Sequence, residues 1–526
     1  MEGYKNKKSD SIKHSVRIFL ALGLSSASQV IIQIVTAYLF GSGKETDAFF
    51  VAFIIPVILF GAINNSLKVS LVPMFTHLLE EKGREALWQV SGTLLMGITF
   101  FLTLFAILTS FISPYIINLM APGLEEETWV IAVNIFRILS FSVIFAGVIA
   151  IWTSIQNIYS RFFVPASSNF IRAVFIIIIV MISYKSLSIQ ALAVGFVTAG
   201  LFQCLILLPG LRKEGYCFRG HLSFNDPNMK LFFGLTVLPF LCHLLRQGGT
   251  IVDRFLASFL PTGSLSALAY SYTFTMGIIM LVSNGLSSVS LPELSKHVIQ
   301  GKIAEMKEVL KLNLKLASVI TFPLTVLLII LGKPVIKLLY ERGAFDAAAT
   351  ELTASLLFLY AIGIFFFSVV PVMLGVFYAF KDTYTPFIHL LFVFIVNIVL
   401  AVLLTKVMSV HGLSLAFSLA GIFSFGRVSM MLSKRHGTVL DRTILIFWCK
   451  TLVSSLIMGI AIWFFLTWNS ASPSYKTMIG NIKLIIFSLC IGVVTFGLSA
   501  YILKLEGRRF IVKAIANKFD DYRNIM

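Results

Sequence analysis

The chain has 526 residues, 58% of them apolar and only 13% charged, with a mean hydropathy of +0.92. A string of soluble globular domains is nearer half apolar and a quarter charged, so that class is excluded, and most enzyme classes with it. The formal charge of +18 would suggest nucleic-acid binding in a soluble protein; in a membrane chain Lys and Arg report topology first, and no nucleic-acid partner is expected.

Apolar blocks of about 20 residues divided by short polar breaks predict spanning helices rather than barrel strands. The basic segment 1–15, with Lys5, Lys7, Lys8 and Lys13, precedes a first span at 16–40. That run is too long for a signal-peptide core and has no small-residue cleavage site in the usual place. A turn at Gly41, Ser42 and Gly43 leads to the second span, 47–75. It opens on Asp47, read either as a binding carboxylate or as a cap on the helix start. Near its far end Asn64, Asn65, Ser66 and Lys68 make a polar patch, where Lys68 is either an anion contact or a lysine reaching for the interface.

The third to sixth spans follow at 88–112, 129–154, 162–183 and 188–210, with Arg137 and Arg172 read as snorkelling or packing residues. The seventh, 231–259, contains Pro239 and the weak run Gln247, Gly248 and Gly249, which predict an interrupted helix of the kind that lines transport cavities. It also carries Arg246, Asp253 and Arg254, the first two on one helical face. The eighth to twelfth spans are expected at 265–290, 312–331, 350–380, 386–405 and 411–432, and the last two at 443–468 and 478–503. Charges at membrane depth cost several kcal/mol unless paired or hydrated, so each is a functional candidate.

With a cytoplasmic N-terminus, 27 Lys and Arg fall in inner loops and tails and 8 in outer loops, which places both termini in the cytoplasm. The sequence also repeats itself. Asn65, Leu67 and Pro73 match Asn284, Leu286 and Pro292 at an offset of 219, Gly43 matches Gly263 at 220, and Pro165 matches Pro386 at 221. The expected organisation is therefore an all-α polytopic membrane protein of about 14 helices: a first six-helix lobe at 16–215, a pseudo-symmetric second lobe at 216–435, two further helices within 436–505, and a basic cytoplasmic tail at 506–526. Two such lobes around a central cavity form a transporter architecture.

No catalytic residue, metal site or cofactor is expected. The eight histidines are dispersed, the five cysteines are scattered without a CxxC pair, and there is no nucleotide-binding P-loop. Transport would then draw on an ion gradient, Na+ among the candidates, on the membrane potential, or on consumption of the product.

Several stretches carry a family likeness: Thr46 through Phe53 (TDAFFVAF) with Pro56; Ala121, Pro122 and Gly123; Val252 through Ser258 (VDRFLAS) followed by Gly263 and Ser264; Leu291 and Pro292; and Glu341 through Phe345 (ERGAF). Together they resemble the MurJ (MviN) family of bacterial lipid II flippases, within the multidrug/oligosaccharidyl-lipid/polysaccharide exporter superfamily. The resemblance implies fourteen helices in the bacterial inner membrane, a cationic cavity for an undecaprenyl-pyrophosphate-linked glycan, and a groove beside the last two helices for the polyprenyl tail. Membrane lipids and enzymes of cell-wall synthesis are the implied partners. The family's acidic residue maps to Asp47, and a cation site known in some members maps to Asp253, with Asn397 of the eleventh span.

One departure stands out. The family's cavity arginines fall in spans one, two and eight, whereas here the first span has only Arg17 at its start, the second nothing basic before Lys68, and the eighth reads Tyr270, Ser271, Tyr272, Thr273 where an arginine would follow. Either Asn65, Lys68, Arg246 and Arg254 bind the pyrophosphate substrate from other positions, or the lipid carries another glycan, such as an exopolysaccharide or O-antigen unit. A cation-coupled drug exporter is the reading from a different class, and it predicts an acidic cavity.

Overall fold

A computed structural model describes residues 23–25, 27–220, 227–469 and 477–505. The basic N-terminal segment, Arg17 and the C-terminal tail lie outside the described residues. Regular structure among the described residues is helical throughout: α1 (Gly23–Phe40), α2 (Lys44–Phe111), α3 (Ser113–Met120), α4 (Glu126–Ser140), α5 (Ser142–Ile158), α6 (Phe163–Leu187), α7 (Gln190–Arg212), α8 (Pro227–Ala257), α9 (Ser264–Ile299), α10 (Ile303–Tyr340), α11 (Ala347–Ala361), α12 (Ile364–Ala379), α13 (Tyr384–Met408), α14 (Val410–His436), α15 (Arg442–Asn469) and α16 (Met478–Ile502).

Among the described residues eleven of these helices, and α4 and α5 taken together as Glu126–Ile158, are long and apolar enough to cross a bilayer, and the pair α11 and α12, bent by 41°, supplies a thirteenth span. The 68-residue α2 accounts for one more. At 1.5 Å per residue it would run about 100 Å, against a hydrocarbon core of about 30 Å. Gly83, at φ 77° and ψ −175°, breaks it. Leu71, Phe75 and Leu78 before the break share a buried cluster with Leu87, Trp88 and Leu94 after it, so α2 folds as two spans. Among the described residues the total is fourteen, the number expected.

The repeat seen in the sequence recurs in the backbone. Eight of the twelve described residues with positive φ form four pairs: Gly83 and Gly301 (φ 77° and 70°), Ser160 and Lys381 (58° and 61°), Ser188 and Ser409 (47° and 53°), Gly215 and Gly437 (77° and 80°). Non-glycine residues rarely adopt positive φ, so two serine and lysine pairs at one offset are a fingerprint of duplicated turns rather than of helices in general.

The chain forms two compact units, the first reaching Tyr270 and including Arg342–Ala349, the second comprising Ser271–Glu341 and the described residues from Thr350 onward. In the second unit, Leu310, Leu314, Val369, Met373, Val376 and Val428 form the main core of α10, α12 and α14. There α15 and α16 pack on α10 through Met458, Ile462, Leu484 and Ile485 against Val326 and Leu331.

In the first unit α8, the helix that opens the second sequence repeat, lies antiparallel along α2. Ile54 and Ile58 pack with Leu244 and Ile251, a Cβ on Gly61 would stand 3.1 Å from His243 Nε2, and the Ser70 hydroxyl donates to the Leu235 carbonyl at 3.0 Å. That last bond explains a difference from the sequence reading. The expected interruption is absent: α8 runs unbroken from Pro227 to Ala257 through Pro239 and both glycines. Proline at 239 removes the donor that would meet the carbonyl four residues earlier, which is Leu235. Ser70 of α2 supplies it instead, so the Leu235 carbonyl is not left bare at membrane depth.

Candidate substrate site

Two places in the first unit gather the side chains singled out by the sequence. The first is a clasp where helix starts and turns meet. Asp47, 3% exposed, accepts from the backbone N–H of Gly263 through Oδ2 and from that of Ser266 through Oδ1, both at 2.7 Å. It therefore caps α9, not its own helix. The start of α2 uses Thr46 for that purpose, whose Oγ1 accepts from Gly43 N–H at 2.8 Å. A carboxylate at the positive end of a helix satisfies two otherwise orphaned donors and opposes the helix dipole.

Around this cap the Ser42 and Ser266 hydroxyls lie 2.7 Å apart, Tyr270 donates to the Gly41 carbonyl at 3.0 Å, and Ala344 N–H donates to the Tyr38 carbonyl at 3.0 Å. Gly41 has φ 68° and a side chain there would collide with the Ala344 backbone, so glycine is required twice over. Arg254, 4% exposed, donates to the Leu265 carbonyl at 2.9 Å and stands 6.0 Å from the Phe50 ring centroid. Its charge serves the first turn of α9 beside Asp47. Gly123 N–H donates to Ser258 Oγ at 3.2 Å, tying in the turn before α4.

The second place is the run of cations on α2, α6 and α8. Lys68 is half-buried, Arg246 is exposed beside His243 and Cys242, and the Arg172 guanidinium carbon lies 4.7 Å from the Phe60 ring centroid. None of the three forms an ion pair among the described residues. Asn65 is exposed, while its neighbour Asn64 turns inward and is buried. Arg246 and Asp253 share a face by spacing but not surroundings: Asp253 is 4% exposed, with Oδ1 lacking a partner. Asn397, buried on α13 of the second unit, likewise has an unpartnered Oδ1. Among the described residues no three His, Cys, Asp or Glu side chains gather as a metal site. The remaining membrane-depth arginines pack: Arg137 donates to Ser113 Oγ at 3.1 Å, and Arg427 to the Ile388 carbonyl at 3.2 Å while lying 4.4 Å from the Phe392 centroid.

The chain is similar to a Thermotoga maritima protein described as a probable lipid II flippase MurJ, at 28% identity over 501 residues covering 94% of this chain and 97% of the relative. A Buchnera aphidicola (subsp. Acyrthosiphon pisum) protein with the same description is 26% identical over 507 residues, 95% of this chain and 99% of its own. Among solved structures, a lipid II flippase MurJ in an inward closed conformation aligns at a TM-score of 0.78 and 25% identity, covering 95% of this chain and all of that one. An inward-facing multidrug resistance transporter of the MATE family in the MOP superfamily aligns at 0.68 and 13% identity over 78% of this chain and 95% of its own, a likeness of fold alone. The sequence profile of the family described as lipid II flippase MurJ matches residues 36–482, and this chain belongs to that family.

Proposed function

We propose that this multi-pass membrane protein carries lipid II, an undecaprenyl-pyrophosphate-linked saccharide, from the cytoplasmic to the outer leaflet of the bacterial inner membrane by alternating access. Family membership across residues 36–482 is the observation that carries the reading. Lys68, Arg172 and Arg246, cations without acidic partners among the described residues, suit a pyrophosphate, which needs compensating charge wherever water is scarce. The same cations disfavour a carrier of cationic drugs. Both termini face the cytoplasm on the Lys and Arg bias.

In this reading the Asp47 clasp keeps its end of the first unit shut, and opening there requires breaking the two hydrogen bonds to Gly263 and Ser266. The polyprenyl tail runs along α15 and α16, whose Trp463, Trp468 and Val493 are exposed. Energy comes from the membrane potential or from Na+, with Asp253 as the cation ligand and Asn397 as a second candidate. Enzymes that make and consume the lipid are the functional partners.

The test is replacement. A bacterium depleted of its own flippase and given this chain should regain lipid II in the outer leaflet, measured leaflet by leaflet, and should grow. Lipid II held in the inner leaflet, with another lipid-linked glycan exported, would sink the proposal. Arg246→Ala should lower lipid II export roughly tenfold, in line with loss of one charge-assisted contact, with insertion unchanged.

A further inference from the structure

The second unit holds an open cavity of about 460 Å³ where α10 and α11 meet the turn between α13 and α14, a size ordinary for a small-ligand pocket. Its two main walls are antiparallel helices. Lys333 donates to Glu351 at 3.2 Å at one end of the pair, and further in Thr325 donates to the Ala361 carbonyl, also at 3.2 Å. Both walls change character in the same direction. On α11, Glu351, Ser355 and Phe358 stand four and three residues apart and so share one face, which passes from carboxylate to hydroxyl to aromatic ring. On α10, Lys333 gives way one turn further in to Ile330 and Ile329. The third side is the turn at Ser409, whose neighbours Met408 and His411 line the cavity, and His411 Nε2 lies 2.8 Å from Ser355 Oγ, which ties that turn to α11.

Ile329, Phe358 and Met408 are 37%, 42% and 38% exposed, so the apolar part of the cavity opens on the surface that faces lipid. Apolar walls there are covered by an acyl chain rather than by water. The charged end is balanced: Lys333 and Glu351 are the only Lys, Arg, Asp or Glu among the residues lining it. A pyrophosphate, which needs an excess of cations, has no match at this end. The Lys333 and Glu351 side chains are 60% and 73% exposed, and an ion pair so wet adds little to stability, so it readily opens to take a ligand that carries both signs.

We propose that this cavity binds a zwitterionic aminophospholipid of the surrounding membrane, with its phosphate on Lys333, its ammonium on Glu351 and the upper part of one acyl chain along Ile329, Phe358 and Met408. An anionic headgroup would meet Lys333 but also the Glu351 carboxylate, which repels it. The Lys and Arg bias puts Lys333 outside, so the lipid belongs to the outer leaflet. The site uses none of the cations assigned to the transported lipid; it goes beyond the lipid II reading and stands or falls apart from it.

Native mass spectrometry of the detergent-purified full-length protein, titrated with phosphatidylethanolamine, phosphatidylglycerol or phosphatidylcholine, tests the site. The wild type should hold one phosphatidylethanolamine at least fivefold more tightly than either of the others, because phosphatidylglycerol lacks the ammonium and phosphatidylcholine lacks its N–H donors. Glu351→Gln should weaken phosphatidylethanolamine roughly 5- to 10-fold and turn the preference toward phosphatidylglycerol, while Lys333→Gln should weaken both. Both replaced side chains are exposed, so the fold is kept in either variant. Phosphatidylethanolamine with a photoreactive acyl chain should label α10 or α11 beside the cavity and lose that label in Glu351→Gln. Equal affinity for the three lipids, wild-type affinities in both variants, or labelling spread evenly over the lipid-facing helices would each overturn the site and leave the flippase reading standing.

Discussion

Asp47 and Asp382 both accept backbone N–H groups at helix starts, Asp47 at a helix distant in sequence and Asp382 at the one that follows it, and both can be tested singly. Asp47→Ala leaves two buried α9 amides without acceptors, so thermal unfolding should report a loss of about 2 kcal/mol, with Asp47→Asn in between because one acceptor remains. Asp382, in the turn before α13, is held down to about 2 by the Thr385 hydroxyl and backbone N–H, with Arg435 adding its charge. A carboxylate more acidic in the folded than in the unfolded chain stabilises fully above about pH 4, and that contribution is lost as the pH falls through about 2. Melting temperatures measured from pH 5 to 2 should therefore fall less steeply in Asp382→Asn, which is also less stable at neutral pH. The sequence marks Asp47 as a helix-start carboxylate by position alone. Its true partner, 219 residues away, is invisible to local spacing. Arg172 was harder still, because its meaning depends on Phe60 of another helix.

At the scale of elements, long apolar runs fixed the number of spans, while their internal continuity depended on neighbours. Pro239 reads as a break because proline removes a donor; the structure keeps the helix by borrowing the Ser70 hydroxyl. Ser70→Ala should cost about 1 kcal/mol in the presence of Pro239 and much less in a Pro239→Ala background, where the backbone bond is restored, a coupling that a double-mutant cycle on thermal unfolding measures. Gly83 makes the converse case. Its φ and ψ suit glycine almost alone, so Gly83→Ala should cost about 1 to 3 kcal/mol and reduce the yield of folded protein, because the turn that makes two spans of α2 is strained.

For the whole molecule, the repeat and the charge bias were legible because they are sums over many residues, and the paired left-handed turns give the repeat a backbone form. The proposed topology rests on the same sums. Single cysteines at Lys82 and Lys185, on opposite sides by the Lys and Arg count, should be labelled by an impermeant thiol reagent only at 185 in intact cells; labelling at 82 would invert the assignment. What the sums do not show is where the copies differ. Gly43 and Gly263 stand at equivalent positions of the two repeats, 220 apart, which pairs Thr46 with Ser266 and Asp47 with Ala267. Thr46 and Ser266 still do the same work, each hydroxyl donating to the carbonyl of the glycine three residues earlier. Asp47 has no acidic twin, and its carboxylate serves the start of the other copy's helix, accepting from Gly263 and Ser266. Alanine at both positions would leave those amides without a carboxylate. The clasp thus exists only through divergence of one residue from its twin: a duplicated gene makes two alike halves, and a single unlike pair gives the latch a bolt and a keeper.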